Sequence, residues 1–205
     1  MEFTFNNFDK TEDKPTTENQ QKSKRRSVQL TTRDKKTIYR RAFSETQLMD
    51  ISPLEFENNC TYNYITAGDV DALSYLKMII RKQNLNHCLF STWCIAADDI
   101  LQFEEWLETG KIKSLDCYVG EIFPNQYKFE WQKLKEMNAK YGGRLAVFKN
   151  HSKIFAGVGD NFSFGIQTSA NINTNPRTEN GSISINNEIY TFYKDYFDGI
   201  NSFEK

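Results

Sequence analysis

The strongest constraint on this chain is a change of hydrophobic period along it. Between Asp69 and Phe197, segments with apolar residues at helical spacing alternate with short segments that read as strands. Ala72, Leu73, Leu76, Ile79 and Ile80 recur at helical spacing after Asp69, which predicts a helix running to about Lys82. His87 to Ile95 is a nearly continuous apolar run, read as a buried strand. Asp98 or Asp99 opens a second helix that carries Ile100, Leu101, Phe103, Trp106 and Leu107 to Gly110. A strand over Leu115–Phe123 closed by Pro124, a helix over Tyr127–Lys140 and a short strand over Arg144–Phe148 complete a β-α-β-α-β order.

The pattern then changes. Ile154–Val158 and Phe162–Ser169 read as two strands joined at Gly159-Asp160-Asn161, Ser182–Ile185 as another, and Glu188–Phe197 as a last helix. This order predicts an α/β domain: a mixed, mostly parallel sheet flanked by helices, with an antiparallel part from the C-terminal strands. Its 39% hydrophobic and 14% aromatic residues suit a packed core.

Residues 1–50 read differently. Met1–Ser27 is polar and without apolar period, so an N-terminal extension over 1–50, partly disordered, is expected ahead of a domain over 51–205. The total charge of -1 hides a local basic run. Lys22, Lys24, Arg25, Arg26, Arg33, Lys35, Lys36, Arg40 and Arg41 face only Asp34 between positions 22 and 41. Such a run fits phosphate contacts on a nucleic acid, and equally a solvated arm that pairs with an acidic surface.

No stretch is apolar for long enough to span a bilayer, and Met1-Glu2-Phe3-Thr4-Phe5 is unlike a signal peptide, so a cytoplasmic protein without membrane contact is expected. Cys60, Cys88, Cys94 and Cys117 lack Cys-x-x-Cys spacing and read as reduced thiols. With two histidines and no paired ligand spacing, neither a metal site nor a cofactor is expected.

His87, at the mouth of a core strand, reads as a boundary histidine satisfied by its neighbours. His151 is followed by Ser152 and Lys153. On an extended segment the imidazole and ammonium project to one side, a geometry suited to attack on an anionic phosphoryl group. The strand from Phe162 ends at Thr168-Ser169 and is followed by Ala170-Asn171, which offer a hydroxyl and a carboxamide to phosphate oxygens. Asn175-Pro176-Arg177-Thr178-Glu179-Asn180 then brings a carboxylate able to hydrogen-bond an imidazole.

At these residues the chain resembles the phospholipase D superfamily. The matches are His151-Ser152-Lys153, Ser169-Ala170-Asn171 and Glu179, with Val158 where that family carries an Asp and Thr168 where it carries a Gly. The alternation from about Asp69 to Phe197 is similar to one half of that fold. The resemblance implies a metal-independent phosphodiesterase, a nuclease in view of the basic run, with His151 as nucleophile and proton carrier. It implies Lys153, Ser169 and Asn171 on the phosphoryl oxygens and Glu179 orienting a histidine. Since the family joins two His-x-Lys motifs at one site and this chain has one, it also implies a homodimer. Val158 and Thr168 motivate the alternative, a catalytically impaired nucleic-acid-binding module or scaffold.

Overall fold

Leu85–Thr92 and Leu115–Gly120 are buried at nearly every position because both faces of these strands are covered, as parallel strands under helices require. They are β3 and β4 of the structure, a computed structural model that describes residues 29–30, 32, 34–173 and 177–203. The chain order is β1 (Lys36–Ser44), α1 (Glu45–Asp50), β2 (Cys60–Asp69), α2 (Ala72–Ile80), β3, α3 (Ala97–Glu108) and β4. It continues through α4 (Phe123–Gln126), α5 (Lys128–Tyr141), β5 (Leu145–Phe148), β6 (Ile154–Gly159), β7 (Ser163–Thr168), β8 (Glu179–Ile185) and α6 (Asn187–Asp198).

The strands form one mixed sheet in the order β1-β2-β8-β7-β6-β3-β4-β5. β3, β4 and β5 run parallel, as do β1 and β2. The four pairings between these groups, through β8, β7 and β6, are antiparallel. The C-terminal strand run thus occupies the middle of the sheet and joins two parallel ends.

One face of the sheet carries the main core. Tyr62, Tyr64, Phe90, Phe155, Ile166 and Ile183 meet Leu76, Phe103 and Trp131 of the helices there. The other face carries a smaller core, in which α6 brings Tyr193 and Phe197 onto Leu89, Tyr118 and Ala156. Two glycines allow close approach. Tyr75 of α2 lies against Gly181, and Ile189 of α6 lies where a β-carbon on Gly165 would stand.

The fold departs from the sequence expectations at its N-terminal side. Lys36–Ser44 is an edge strand of the sheet, not part of an extension ending at 50. Ile38 and Ala42 pack into the core with Arg40 between them on the same face, so the basic run conceals a half-buried strand. α2 begins two residues after the expected cap. Strand β2 continues through Asp69, and Asp71 caps the helix through the N–H and hydroxyl of Ser74. The strand expected to reach Phe123 stops at Gly120, and Pro124 sits in the first turn of the short α4, where a missing N–H costs no hydrogen bond.

Lys22, Lys24, Arg25, Arg26 and Arg33 lie outside the described residues. Among the described residues no helix is long and apolar enough to cross a membrane. All four cysteines are buried and unpaired.

Candidate active site

β5 leaves the sheet at Phe148, and β6 enters it at Ile154. The link between them carries Asn150, His151, Ser152 and Lys153, and Asn150 fixes its path. Its buried amide nitrogen reaches Ser91 Oγ at 2.9 Å, Thr92 O at 3.2 Å and Tyr118 O at 3.3 Å. Its oxygen accepts from the Ser152 N–H at 2.9 Å and the Ser152 hydroxyl at 2.7 Å. The link is thereby tied to the C-terminal ends of β3 and β4. No sequence motif singled Asn150 out, because its partners lie about 30 and 60 residues away and nothing local marks it.

Beyond this clamp the link is extended, and the Thr168 N–H donates to Lys153 O at 3.1 Å. His151 and Lys153 accordingly project together. Lys153 Nζ lies 3.1 Å from His151 Nδ1 and 2.7 Å from His151 O. His151 is exposed, whereas Lys153 is buried. Burial holds the Lys153 ammonium below the usual lysine range, opposed by the charges of Cys94 and Glu179.

The β7–β8 pairing brings in the remaining groups. Beyond Thr168 the ladder continues, so Ser169 N donates to Asn180 O at 2.9 Å and Asn180 N donates to Ser169 Oγ at 3.0 Å. The Ser169 hydroxyl donates to Glu179 Oε2. Asn171 is anchored by its backbone carbonyl, which accepts from Ala72 N at 3.1 Å. Its side-chain oxygen is buried without a hydrogen-bond partner among the described residues, so the fold does not consume that capacity.

His151, Lys153, Ser169, Asn171 and Glu179 line one cleft of about 270 Å3, together with Trp93, Asn173 and Arg177. The Trp93 and His151 rings are 5.5 Å apart at 51°. In the sequence Trp93 is marked only by lying within the apolar run His87 to Ile95. Its packing against Gly120 explains why it stands at the strand end beside the cleft. Among the described residues the Glu179 carboxylate receives the Ser169 hydroxyl, because strand pairing sets these two residues at the same end of the β7–β8 ladder.

Val158 lies far from this chemistry. It is five residues along β6 from Lys153, about 16 Å in extended chain, and pairs with His87 and Ser163 at the opposite end of the strand. His87 lies there too. Its Nε2 is 3.0 Å from Asp116 Oδ2 and its Nδ1 is 3.1 Å from the Tyr190 hydroxyl, so both ring nitrogens are occupied in tying α6 to the sheet.

Of the basic run, Lys36 pairs with Glu57 at 3.1 Å, and Lys35 is exposed. Arg40 donates to Ile51 O and lies 5.6 Å over the Tyr62 ring. Arg41 is exposed on the opposite face of β1, without an ion pair among the described residues. No group of three or more His, Cys, Asp or Glu among the described residues is placed to hold a metal ion.

No family model and no curated protein sequence matches the chain. Solved structures of similar shape include polyphosphate kinase from Porphyromonas gingivalis, at 13% identity and a TM-score of 0.48, covering 70% of this chain and 27% of that one. They also include TrmBL2, an archaeal chromatin protein whose structure shows a novel mode of DNA binding. There the identity is 11% and the TM-score 0.46, covering 75% of this chain and 57% of that one. The chain thus spans about a quarter and just over half of those proteins, and the reading of function rests on its own cleft.

Proposed function

We propose that this chain is a metal-independent phosphodiesterase that cleaves nucleic acid, DNA or RNA, through a phosphohistidine intermediate formed in a homodimer. One observation carries the reading. A histidine and a desolvated lysine, 3.1 Å apart, share a small polar cleft with a serine, an asparagine and a glutamate, the set found in the phospholipase D superfamily that the sequence resembles.

The chemistry follows from the groups. With Lys153 donating to Nδ1, the neutral imidazole of His151 keeps its proton on Nε2. An entering phosphodiester draws the Lys153 ammonium onto a non-bridging oxygen. This frees Nδ1 to carry the proton and Nε2 to attack. The Nε2–P bond forms as the P–O bond to the leaving nucleoside breaks, and His151 of the partner subunit, entering the step as the imidazolium, gives a proton to that oxygen and becomes neutral. The partner's His151 then takes a proton from water, whose oxygen attacks phosphorus, and the N–P bond breaks. Lys153 and the Asn171 amide stabilise the charge on the phosphoryl oxygens, and Ser169, held by Glu179, positions them. The dimer is required because one chain offers one histidine at this cleft.

The alternative, a nucleic-acid-binding protein or scaffold without turnover, is motivated by Val158 and by Thr168. The distance of Val158 from the cleft weakens the first motive and leaves the second. The deciding assay incubates purified protein with labelled single- and double-stranded DNA and RNA in EDTA, alongside His151→Ala, with mass measured by light scattering. Cleavage by a dimeric wild type and none by the variant is expected. A folded dimer that binds nucleic acid without cutting it would establish the alternative.

A further inference from the structure

The cleft opens at Ser169 into a second, larger groove of about 850 Å3 that plays no part in the bond-breaking steps. Its floor is the sheet face that carries α6 at β7 and beyond, and is formed here by Arg41 of β1, Asn63 and Ile65 of β2, and Asn180 and Ser182 of β8. Strand register places its side chains in two rows. Arg41 pairs with Ile65, Ile65 with Asn180, and Asn180 with Ser169. Beside that row, Asn63 pairs with Ser182 and Ser182 with Gln167. The first row runs straight across the strands from the β1 edge to the cleft. Three strand spacings make it about 14 Å long.

The chemistry of the groove is selective. Ile65 is 50% exposed, an unusual apolar floor in a polar surround. Asn63 and Asn180 supply carboxamides, which donate and accept, while the Gln167 amide nitrogen already donates to the Tyr193 hydroxyl. Arg41 supplies a cation at the far end that has no ion pair among the described residues. Apolar floor, amide edges and a terminal arginine match a strand whose bases are unpaired and whose phosphates face outward. A duplex is a poor match. Over the same 14 Å it presents roughly eight phosphate charges. Of the two arginines lining the groove, Arg40 is already committed to Ile51 O and the Tyr62 ring.

We propose that this groove holds the single-stranded nucleic acid flanking the phosphodiester in the cleft, with a phosphate at Arg41 and bases over Ile65 between the side chains of Asn63 and Asn180. The inference rests on the phosphodiesterase reading and deepens it, by naming the strandedness of the substrate and the path it takes.

The test separates the two. Binding of fluorescein-labelled dT20 and rU20 is measured by anisotropy across a salt series, using the full chain carrying His151→Ala so that no turnover intrudes. Arg41→Gln and Ile65→Asp are each expected to weaken binding about tenfold, and Arg41→Gln to lower the slope of log K against log salt by about 0.7. Ser182→Lys, which adds a cation in the groove, is expected to tighten binding and steepen the slope by a similar amount, an effect that misfolding cannot imitate. No binding by the parent protein, an unchanged affinity in all three variants, or equal effects on a duplex of the same length would overturn the proposal. So would a fall in mass by light scattering on Ile65→Asp, which would make this face a subunit interface. Hydrolysis of bis(4-nitrophenyl) phosphate by the chain with His151 intact is read separately, because that substrate is too small to need the groove. Its absence counts against the phosphodiesterase reading alone.

Discussion

Lys153 Nζ donates toward Nδ1 of His151 across 3.1 Å while also contacting the carbonyl oxygen of the same residue at 2.7 Å. One ammonium therefore sets both the tautomer of His151, with the proton of the neutral imidazole on Nε2, and the local chain path. Burial lowers the pKa of this lysine, so the charged form is lost at a lower pH than for a solvent-exposed lysine. The kcat/KM profile for cleavage in EDTA is expected to fall on its alkaline side below the normal lysine range. Lys153→Met is expected to lower kcat by about 100- to 1000-fold and remove that limb. A limb that persists in the variant would assign it to another group.

The Ser169–Glu179 contact gives a second expectation. If Glu179 acts by holding Ser169, then Ser169→Ala, Glu179→Gln and the double variant should lose activity to a similar extent, because all three break one interaction. Losses that multiply in the double variant would instead place Glu179 on a separate partner, such as the partner's His151.

The α/β class and most helices were legible because period and length agree: α3, α5 and α6 each run for at least three turns and bury apolar residues on one face. The His-x-Lys and Ser-x-Asn side chains were legible because they sit within a few residues of one another. Three things were hidden, each for a different reason. In β1 the inward positions hold only Ile38, Arg40 and Ala42, too little apolar signal to stand out from the surrounding charge. Asn150 acts through partners on β3 and β4, and such pairing leaves no local trace. The Arg41-to-Ser169 row depends on the order β1-β2-β8-β7, in which the β2–β8 pairing joins strands more than 100 residues apart in the chain.

Asn150 is expected to behave as a positioning residue. Asn150→Ala removes its bonds to Ser91, Thr92, Tyr118 and Ser152 and leaves buried carbonyls and hydroxyls short of a partner. A loss of about 2–3 kcal/mol of stability is expected. Among molecules still folded, kcat should fall with little change in the affinity of the groove for single strands. A loss of binding that matches the loss of kcat would indicate collapse of the wider surface instead.

α6 depends on a missing side chain. Ile189 Cγ2 and the Tyr193 ring occupy the space over Gly165, so a β-carbon there would force the helix off β7. Gly165→Ala is expected to cost about 1–3 kcal/mol by overpacking, measured by urea denaturation. Gly142→Ala would meet no neighbouring atom but would be strained by its φ of +78°, so any cost there would come from the backbone instead of packing.

Asp99, in the first turn of α3, offers a pH-dependent test. Burial, followed by repulsion from Asp71, pushes its carboxyl up from 3.8 to about 7, with Lys77 opposing. The folded protein therefore holds a proton that the unfolded chain has already released between about pH 4 and 7. Stability falls as pH rises through that window and is level above it. Asn cannot ionise, so Asp99→Asn should match the wild type near pH 4 and exceed it at pH 8. The gain is expected to be about 1–2 kcal/mol, since partial exposure screens much of the shift and the helix N-terminus favours the anion by a few tenths. Urea melts of both proteins at pH 4 and 8 measure the difference. Curves that stay parallel at both pH values would show that Asp99 ionises normally in the fold.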